Sequence, residues 1–321
     1  MAGPHPAVAA TRVAVRPLLD HPVLVACSGG ADSLALAAAV AFEAPRAGVV
    51  AGAVVVDHGL QNDSAEIAET AAAQCRSLGL APVTVSRVSV GGAGGPEAAA
   101  RSARYDALHA ASAAHDDALV LLGHTRDDQA ESVLLAMARG SGIRSLSGMA
   151  AAGPGVLRRP FLSVTRAQTR EACLHLGLQP WDDPHNEDPA YRRVRVRKAL
   201  GELESLLGPG LVSGLARTAA LAREDADLLD ELAADAADRL GAPPWPVDEL
   251  AALPRPVRTR AWRLLMNRCG ATTMDVSSTQ VGWLDELITR WRGQGAIDVA
   301  GGLRVARTDG QITVSRPRRL E

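Results

Sequence analysis

Lysine is almost missing from this chain: Lys198 is the single one in 321 residues, although Lys and Arg together number 34. A Walker-type phosphate loop, GxxxxGK[ST], is thereby excluded, since no lysine lies near the glycine pair at 29–30. Kinase-like lysine chemistry is excluded from the front half for the same reason. Cysteine is also sparse. Cys27, Cys75, Cys173 and Cys269 are scattered and none forms a CxxC, which weighs against a redox pair, a clustered zinc site or closely spaced iron–sulfur ligands. No apolar run is long enough to span a bilayer, and the run from Val49 to Val56 reads as a strand. The N-terminus lacks the long apolar segment of a secretory signal, so a cytoplasmic location with no membrane partner is the expectation. With 34 basic and 36 acidic residues the net charge is -2. No global field therefore advertises nucleic acid, although a local basic patch still can.

What is present starts with a pattern. From Val23 apolar strand runs alternate with helical runs: strands are expected near 23–27, 49–56, 82–88 and 118–123, helices near 32–44, 64–78, 97–115 and 126–138. This spacing predicts an α/β fold, an open and mostly parallel sheet with helices on both faces. Asp63 followed by Glu66 resembles a capping box, and Gly79 closes the same helix. The glycine run 91–95 reads as a flexible loop. A short edge strand is expected at 156–161 and a helix at 163–176. After a break at Gly208-Pro209-Gly210 the texture turns helical, with a long helix over 211–240 and two more near 254–269 and 278–291. Short strands close the chain, two of them joined by Asp309-Gly310, a good hairpin turn. The division expected is a first domain over 1–205 and a mainly helical second domain over 206–321.

In such a sheet ligands gather at the C-terminal ends of strands, where three polar clusters fall. Ser28-Gly29-Gly30-Ala31-Asp32-Ser33 follows the first strand. Two glycines and a helix start aim backbone N–H groups at one small volume, which suits a phosphate, although a serine-capped tight turn explains the residues too. Asp57-His58-Gly59 follows the second strand. The carboxylate there can organise Mg²⁺ or accept from a sugar hydroxyl, or simply belong to a solvated turn. His124-Thr-Arg-Asp-Asp128-Gln-Ala-Glu131 follows the fourth strand, and spacings of i, i+4 and i+7 put His124, Asp128 and Glu131 on one helix face. These groups suit a metal, an amine or its proton, while helix capping by Thr125 and the dipole account for acids without any chemistry. Further on, Arg192, Arg193, Arg195, Arg197 and Lys198 put five positive side chains into seven positions, with Arg158, Arg159, Arg166 and Arg170 before them. Such a patch suits RNA phosphates or a solvated charged face.

The 28–33 loop resembles the SGGxDS loop of the N-type ATP pyrophosphatases (PP-loop proteins). Within that group Val56-Asp57-His58-Gly59-Leu60, His124 to Glu131, Arg139-Gly-Ser-Gly142, Arg158-Arg159-Pro160 and Trp181-Asp-Asp-Pro-His-Asn186 resemble the tRNA(Ile)-lysidine synthetase family. The resemblance covers roughly residues 20–200. It departs from the family pattern at Ser132, His185 and Val194. It implies that cytidine O2 at the wobble position of a CAU anticodon attacks the α-phosphate of ATP, releasing pyrophosphate. The ε-amine of free L-lysine then displaces AMP at C2 to leave lysidine. On this resemblance Ser28, Gly29, Gly30, Ala31, Asp32 and Ser33, with Asp57 and His58, serve ATP, and Asp32 positions Mg²⁺. Asp32, His124, Asp128, Glu131 and Arg197 form the catalytic set, with Asp128 and Glu131 binding lysine or taking its proton. Arg158, Arg159, Arg192, Arg193, Arg195 and Lys198 serve tRNA, and the second domain assists. The absence of CxxC disfavours a related iron–sulfur thiolase, which stays an alternative alongside a non-catalytic tRNA-binding relative. A homodimer is compatible with the sequence.

Overall fold

The computed structural model describes residues 3–59, 63–88, 96–140, 142–271 and 276–316. After α1 (Pro6–Val15) the chain runs β1 (Val23–Ala26), α2 (Ala31–Ala47), β2 (Ala51–Asp57), α3 (Ser64–Ser77), β3 (Val83–Arg87), α4 (Pro96–Ala113) and β4 (Leu119–Leu122). It continues through α5 (Arg126–Met137), α6 (Ile143–Leu146), β5 (Leu157–Arg158), α7 (Arg166–His175) and α8 (Arg192–Leu207). All five strands pair in parallel, in the order β3-β2-β1-β4-β5. The order reverses on either side of β1, so the loops leaving β1 and β4 open at the topological switch point of the sheet.

Strand β1 shows why the apolar runs read as strands. Val23 and Val25 pack into one core with Leu34, Leu36 and Ala172, while Leu24 joins Val54, Leu108 and Val120 in a second core. Successive side chains thus serve opposite faces, as a sheet covered on both sides requires. The edge strand expected over 156–161 shortens to Leu157–Arg158. Pro160 opens a 3-10 turn over Pro160–Ser163, and proline has no N–H to extend a ladder. Asp63 does precede α3, but its side chain makes no capping bond, so the expected capping box is absent. Gly79, at φ 92°, does end that helix, donating its N–H to the Arg76 carbonyl. The glycine run 91–95, Leu60 and Ser141 lie outside the described residues.

The chain divides into two compact units, Met1–Leu221 and Ala222–Glu321. The boundary falls inside α9 (Leu211–Leu240), later in the chain than the expected division between 205 and 206. The break at 208–210 does end α8, yet the first turns of α9 still pack within the first unit. Arg126 donates to Ser213 Oγ at 3.2 Å, and Ala219 is fully buried.

The second unit adds β6 (Trp245–Pro246), α10 (Val247–Ala252), α11 (Arg255–Arg268), α12 (Ser278–Thr289), β7 (Ile297–Val299), β8 (Leu303–Thr308) and β9 (Gln311–Ser315). Its strands form an antiparallel sheet in the order β6-β9-β8-β7. Asp309 and Gly310 both take positive φ, 49° and 74°, at the expected hairpin turn. Trp245 and Trp262 meet edge-on in its core, with ring centroids 6.2 Å apart. Among the described residues no helix is long and apolar enough to cross a membrane.

Candidate active site

The loop after β1 is held by its own serines. Ser33 Oγ accepts from Ser28 N at 3.1 Å, lies 3.3 Å from Ser28 Oγ and donates to the Gly30 carbonyl at 3.0 Å. Gly29 sits at φ 85°, where a side chain would be strained, and a Cβ there would lie 3.3 Å from Ala71 Cβ. Its carbonyl accepts the Trp181 N–H at 3.0 Å, which seats the 179–181 segment on the loop. Helix α2 starts at Ala31, and its first N–H groups have no partner within the helix, the ordinary setting for an anion.

Across the switch point, Asp128 is the hub of the second cluster. Its Oδ2 accepts from Thr125 N at 2.7 Å and from Thr125 Oγ1 at 2.9 Å, so the helix-capping account of this acid is correct as far as it goes. Its other oxygen, Oδ1, accepts from Arg166 Nη2 at 3.0 Å. The same Nη2 reaches Glu131 Oε1 at 3.1 Å, and Arg197 Nε reaches that oxygen at 3.0 Å. Glu131 is only 2% exposed. Arg166 also points Nε at Asp32 Oδ2, 3.9 Å away, and donates its backbone N–H to Asp127 Oδ2 at 2.8 Å. Thr169, one turn along α7, donates its hydroxyl to Asp32 Oδ1. Helix α7 therefore ties the start of α2 to the start of α5.

Charge follows geometry. Burial pushes the Asp32 carboxyl above its usual range, and the charges of Asp128 and Asp127 push the same way against the pull of Thr169 and Arg166. Burial acts to raise Asp128 as well, but Arg166, the Thr125 N–H and His124 outweigh it and hold this carboxyl below its ordinary value. The third group is an imidazole held in its neutral form. Burial pushes His124 down to about 4, with the positive charges of Arg159, Arg104 and Arg193 adding to the effect and Asp128 opposing it. Burial also lowers His58, and Arg104 adds to that shift. The Nδ1 atoms of His58 and His124 and the Nε atoms of Arg104 and Arg159 are buried without a hydrogen-bond partner. Such donors and acceptors cost free energy unless a ligand meets them.

The structure thus joins Asp32, Asp128, Glu131 and Arg197 in one network and places His124, Arg159 and Arg193 beside it. It does not bring in Asp57, whose Oδ1 accepts from Gly59 N at 2.9 Å within its own loop and whose Oδ2 lies 3.7 Å from Arg87. Arg195 donates to the carbonyls of Pro189 and Ala190 at 2.6 and 2.8 Å, and Arg158 to those of Gly155 and Leu157. Arg159 is buried with Nη1 on the Ala150 carbonyl, whereas Arg192, Arg193 and Lys198 are exposed. Val194 is buried, which accounts for an apolar residue amid the arginines. Sequence reasoning missed Arg104, Thr169 and the role of Arg166. The one signal for Arg166 was a basic residue opening a helix behind the cap Thr165, with unpaired acids elsewhere at a strand end. Among the described residues no three His, Cys, Asp or Glu side chains converge as a metal site.

Residues 7–204 match the family described as the PP-loop domain, and residues 246–313 match the one described as the TilS substrate binding domain. The tRNA(Ile)-lysidine synthase of Thermobifida fusca is 55% identical over 98% of this chain and 99% of its own length. That of Streptomyces coelicolor is 51% identical over 97% and 99%, and that of Salinispora tropica 53% identical over 99% and 99%. Among solved structures, a U34-tRNA thiolase, NcsA, from Methanococcus maripaludis with its [4Fe-4S] cluster aligns with a TM-score of 0.56. It is 18% identical and covers 66% of this chain and 77% of that one, a likeness of fold alone.

Proposed function

Since this chain belongs to the tRNA(Ile)-lysidine synthase family of PP-loop proteins, we propose a division of labour among its residues for ATP-dependent lysidine formation in tRNA(Ile). The protein is a ligase that uses ATP as substrate. In the first step the wobble cytidine O2 attacks the α-phosphate and pyrophosphate leaves. The 28–33 loop receives the pyrophosphate, because backbone N–H groups and a helix N-terminus are already aimed where charge builds. Arg104, Arg193 and neutral His124 serve the α-phosphate side, and the buried, unpartnered nitrogens of Arg104 and His124 favour an anion there. Asp32 is a single carboxylate at the loop, which fits a Mg²⁺ carried mainly by phosphates and water rather than by a protein cage. Asp32 would hold such an ion, which would supply charge neutralisation at the phosphates and offset the repulsion Asp32 feels from Asp128 and Asp127.

In the second step the ε-amine of free lysine attacks C2 and AMP leaves. Asp128 and Glu131 bind the cationic substrate. A carboxyl held below its usual value, as Asp128 is, accepts protons poorly, so its part is electrostatic binding rather than general base catalysis. The single observation that carries this reading is the Arg166–Thr169 link, which couples the ATP-side acid Asp32 to the amine-side acids Asp128 and Glu131 at adjacent strand ends. Arg192, Arg193, Arg195 and Lys198 on α8, with Arg158, guide tRNA, while Arg159, buried on the Ala150 carbonyl, stays out of that surface; the 206–321 region assists, and the setting is the cytoplasm. The test is purified protein with labelled lysine, ATP and an unmodified tRNA(Ile) transcript bearing CAU. Label should enter that transcript and not one with another wobble base; equal labelling of both, or of neither, overturns the reading.

A further inference from the structure

The acid pair assigned to lysine is already filled. One nitrogen, Arg166 Nη2, lies 3.0 Å from Asp128 Oδ1 and 3.1 Å from Glu131 Oε1, the position an ammonium nitrogen would take between two carboxylates. Glu131 Oε1 also receives Arg197 Nε at 3.0 Å and is sealed from water. A substrate ammonium cannot reach these oxygens while Nη2 holds them, because two cations would crowd one site. The backbone of Arg166 is anchored independently of its head, which is held on these acids through Nη2 alone. Its backbone N–H is fixed on Asp127 at 2.8 Å, whereas the nearest acid on the other side of the head, Asp32 Oδ2, is 3.9 Å from Nε.

We propose that Arg166 is a specificity-determining residue that exchanges carboxylates: it gives up Asp128 and Glu131 to an ammonium group of lysine and takes lysine's own α-carboxylate in their place. This inference rests on the reading of Asp128 and Glu131 as the acids that receive lysine. The exchange leaves every buried charge paired, and stranding one of them is the costly alternative. It also improves the geometry for arginine. Its planar fork matches one carboxylate with two parallel bonds, whereas in the free protein one nitrogen serves two separate acids. A diamine without a carboxylate would expel Arg166 and leave its guanidinium unpaired, so the free protein discriminates against it. The resting pair thus selects an amino acid over a polyamine before any chemistry occurs.

Cadaverine, which is lysine without its carboxylate, is the probe, used as a competitor of labelled lysine incorporation by the full chain. In the native protein its inhibition constant should exceed the KM for lysine at least tenfold. In Arg166→Gln that ratio should fall at least tenfold, and in Arg166→Lys it should lie between the two, since the charge is kept and the fork is lost. A ratio unchanged in Arg166→Gln overturns the proposal whatever the total activity, because a purely structural arginine would not move it. Should Arg166→Gln fail to fold, lysine methyl ester decides with the native protein: it should compete no better than cadaverine, and competition equal to that of lysine overturns the exchange. Asp128→Asn and Glu131→Gln separate the two levels. If neither raises the KM for lysine, the underlying assignment fails; if they do while the Arg166→Gln ratio stays fixed, only the exchange fails.

Discussion

Gly123→Ala tests how closely β4 must approach the start of α2. Gly123 is the last residue before the His124 cluster, and its φ lies outside the left-handed region, so alanine suits its backbone and the effect is steric. A Cβ there would stand 3.0 Å from the Asp32 carbonyl oxygen, 3.1 Å from its carbon and 3.2 Å from Ser33 N. These are backbone atoms and cannot rotate aside. Restoring ordinary contact at 3.4 Å means moving the head of α2 by about 0.4 Å from β4. Overpacking of this kind costs about 1–3 kcal/mol. The smaller unfolded-state entropy of alanine returns roughly 0.4–1 kcal/mol, leaving a net loss of about 0–2.5 kcal/mol and a Tm lower by up to about 10 °C. Activity should suffer more. A misplacement of about 1 Å costs roughly a hundredfold in rate, so 0.4 Å corresponds to roughly tenfold. The assay is tRNA-dependent pyrophosphate release at saturating ATP and lysine, beside a thermal melt. Gly201→Ala is the control: Gly201 lies inside α8 with nothing within 4 Å of a Cβ, and alanine there should stabilise by up to about 1 kcal/mol. Native turnover with an unshifted melt in Gly123→Ala would refute the close-approach argument.

Three further outcomes follow from particular contacts. Glu131→Gln removes the carboxylate shared by Arg166 and Arg197; a loss of about 3–5 kcal/mol is expected from chemical denaturation, together with a raised KM for lysine, and a melt like that of the native protein would contradict it. His124 binds its proton near pH 4 when folded and near 6.5 when unfolded, so between these values the unfolded chain holds more protons and stability falls as the pH drops from 6.5 toward 4. The gap, at about 1.36 kcal/mol per pH unit, caps this loss at about 3 kcal/mol; urea unfolding across that window should be flatter for His124→Gln, and parallel curves would refute the assignment. In the second unit, buried Asp285 accepts Arg258 Nε at 2.6 Å, and Arg258 Nη1 donates to the Leu253 carbonyl at 2.7 Å. Asp285→Ala should therefore destabilise by about 3–5 kcal/mol, read by calorimetry, and Arg258→Met with Asp285→Leu should recover part of that loss.

Much of this protein is written locally. The strand and helix order of the first unit, the loop at 28–33, the long helix over 211–240 and the Asp309–Gly310 hairpin all follow from apolar period, glycine position and length, because each is decided within a few residues. The acids at 124–131 are visible for the same reason, and so is the possibility that Asp128 merely caps a helix. Only tertiary structure decided what those acids do besides capping. Arg166 is 38 residues from Asp128 and 35 from Glu131, and Thr169 is 137 from Asp32. No periodicity or spacing reports such contacts; they arise because β1 and β4 are neighbours in the sheet, which sets the starts of α2 and α5 side by side where α7 bonds to both. The same folding took Asp57 out of the cluster by turning its carboxylate onto Gly59, and it buried Arg159 away from the exposed basic face. Sequence determined which elements form and which residues end them. The sheet order decided which charges meet, because electrostatic partners depend on distance in space and not along the chain.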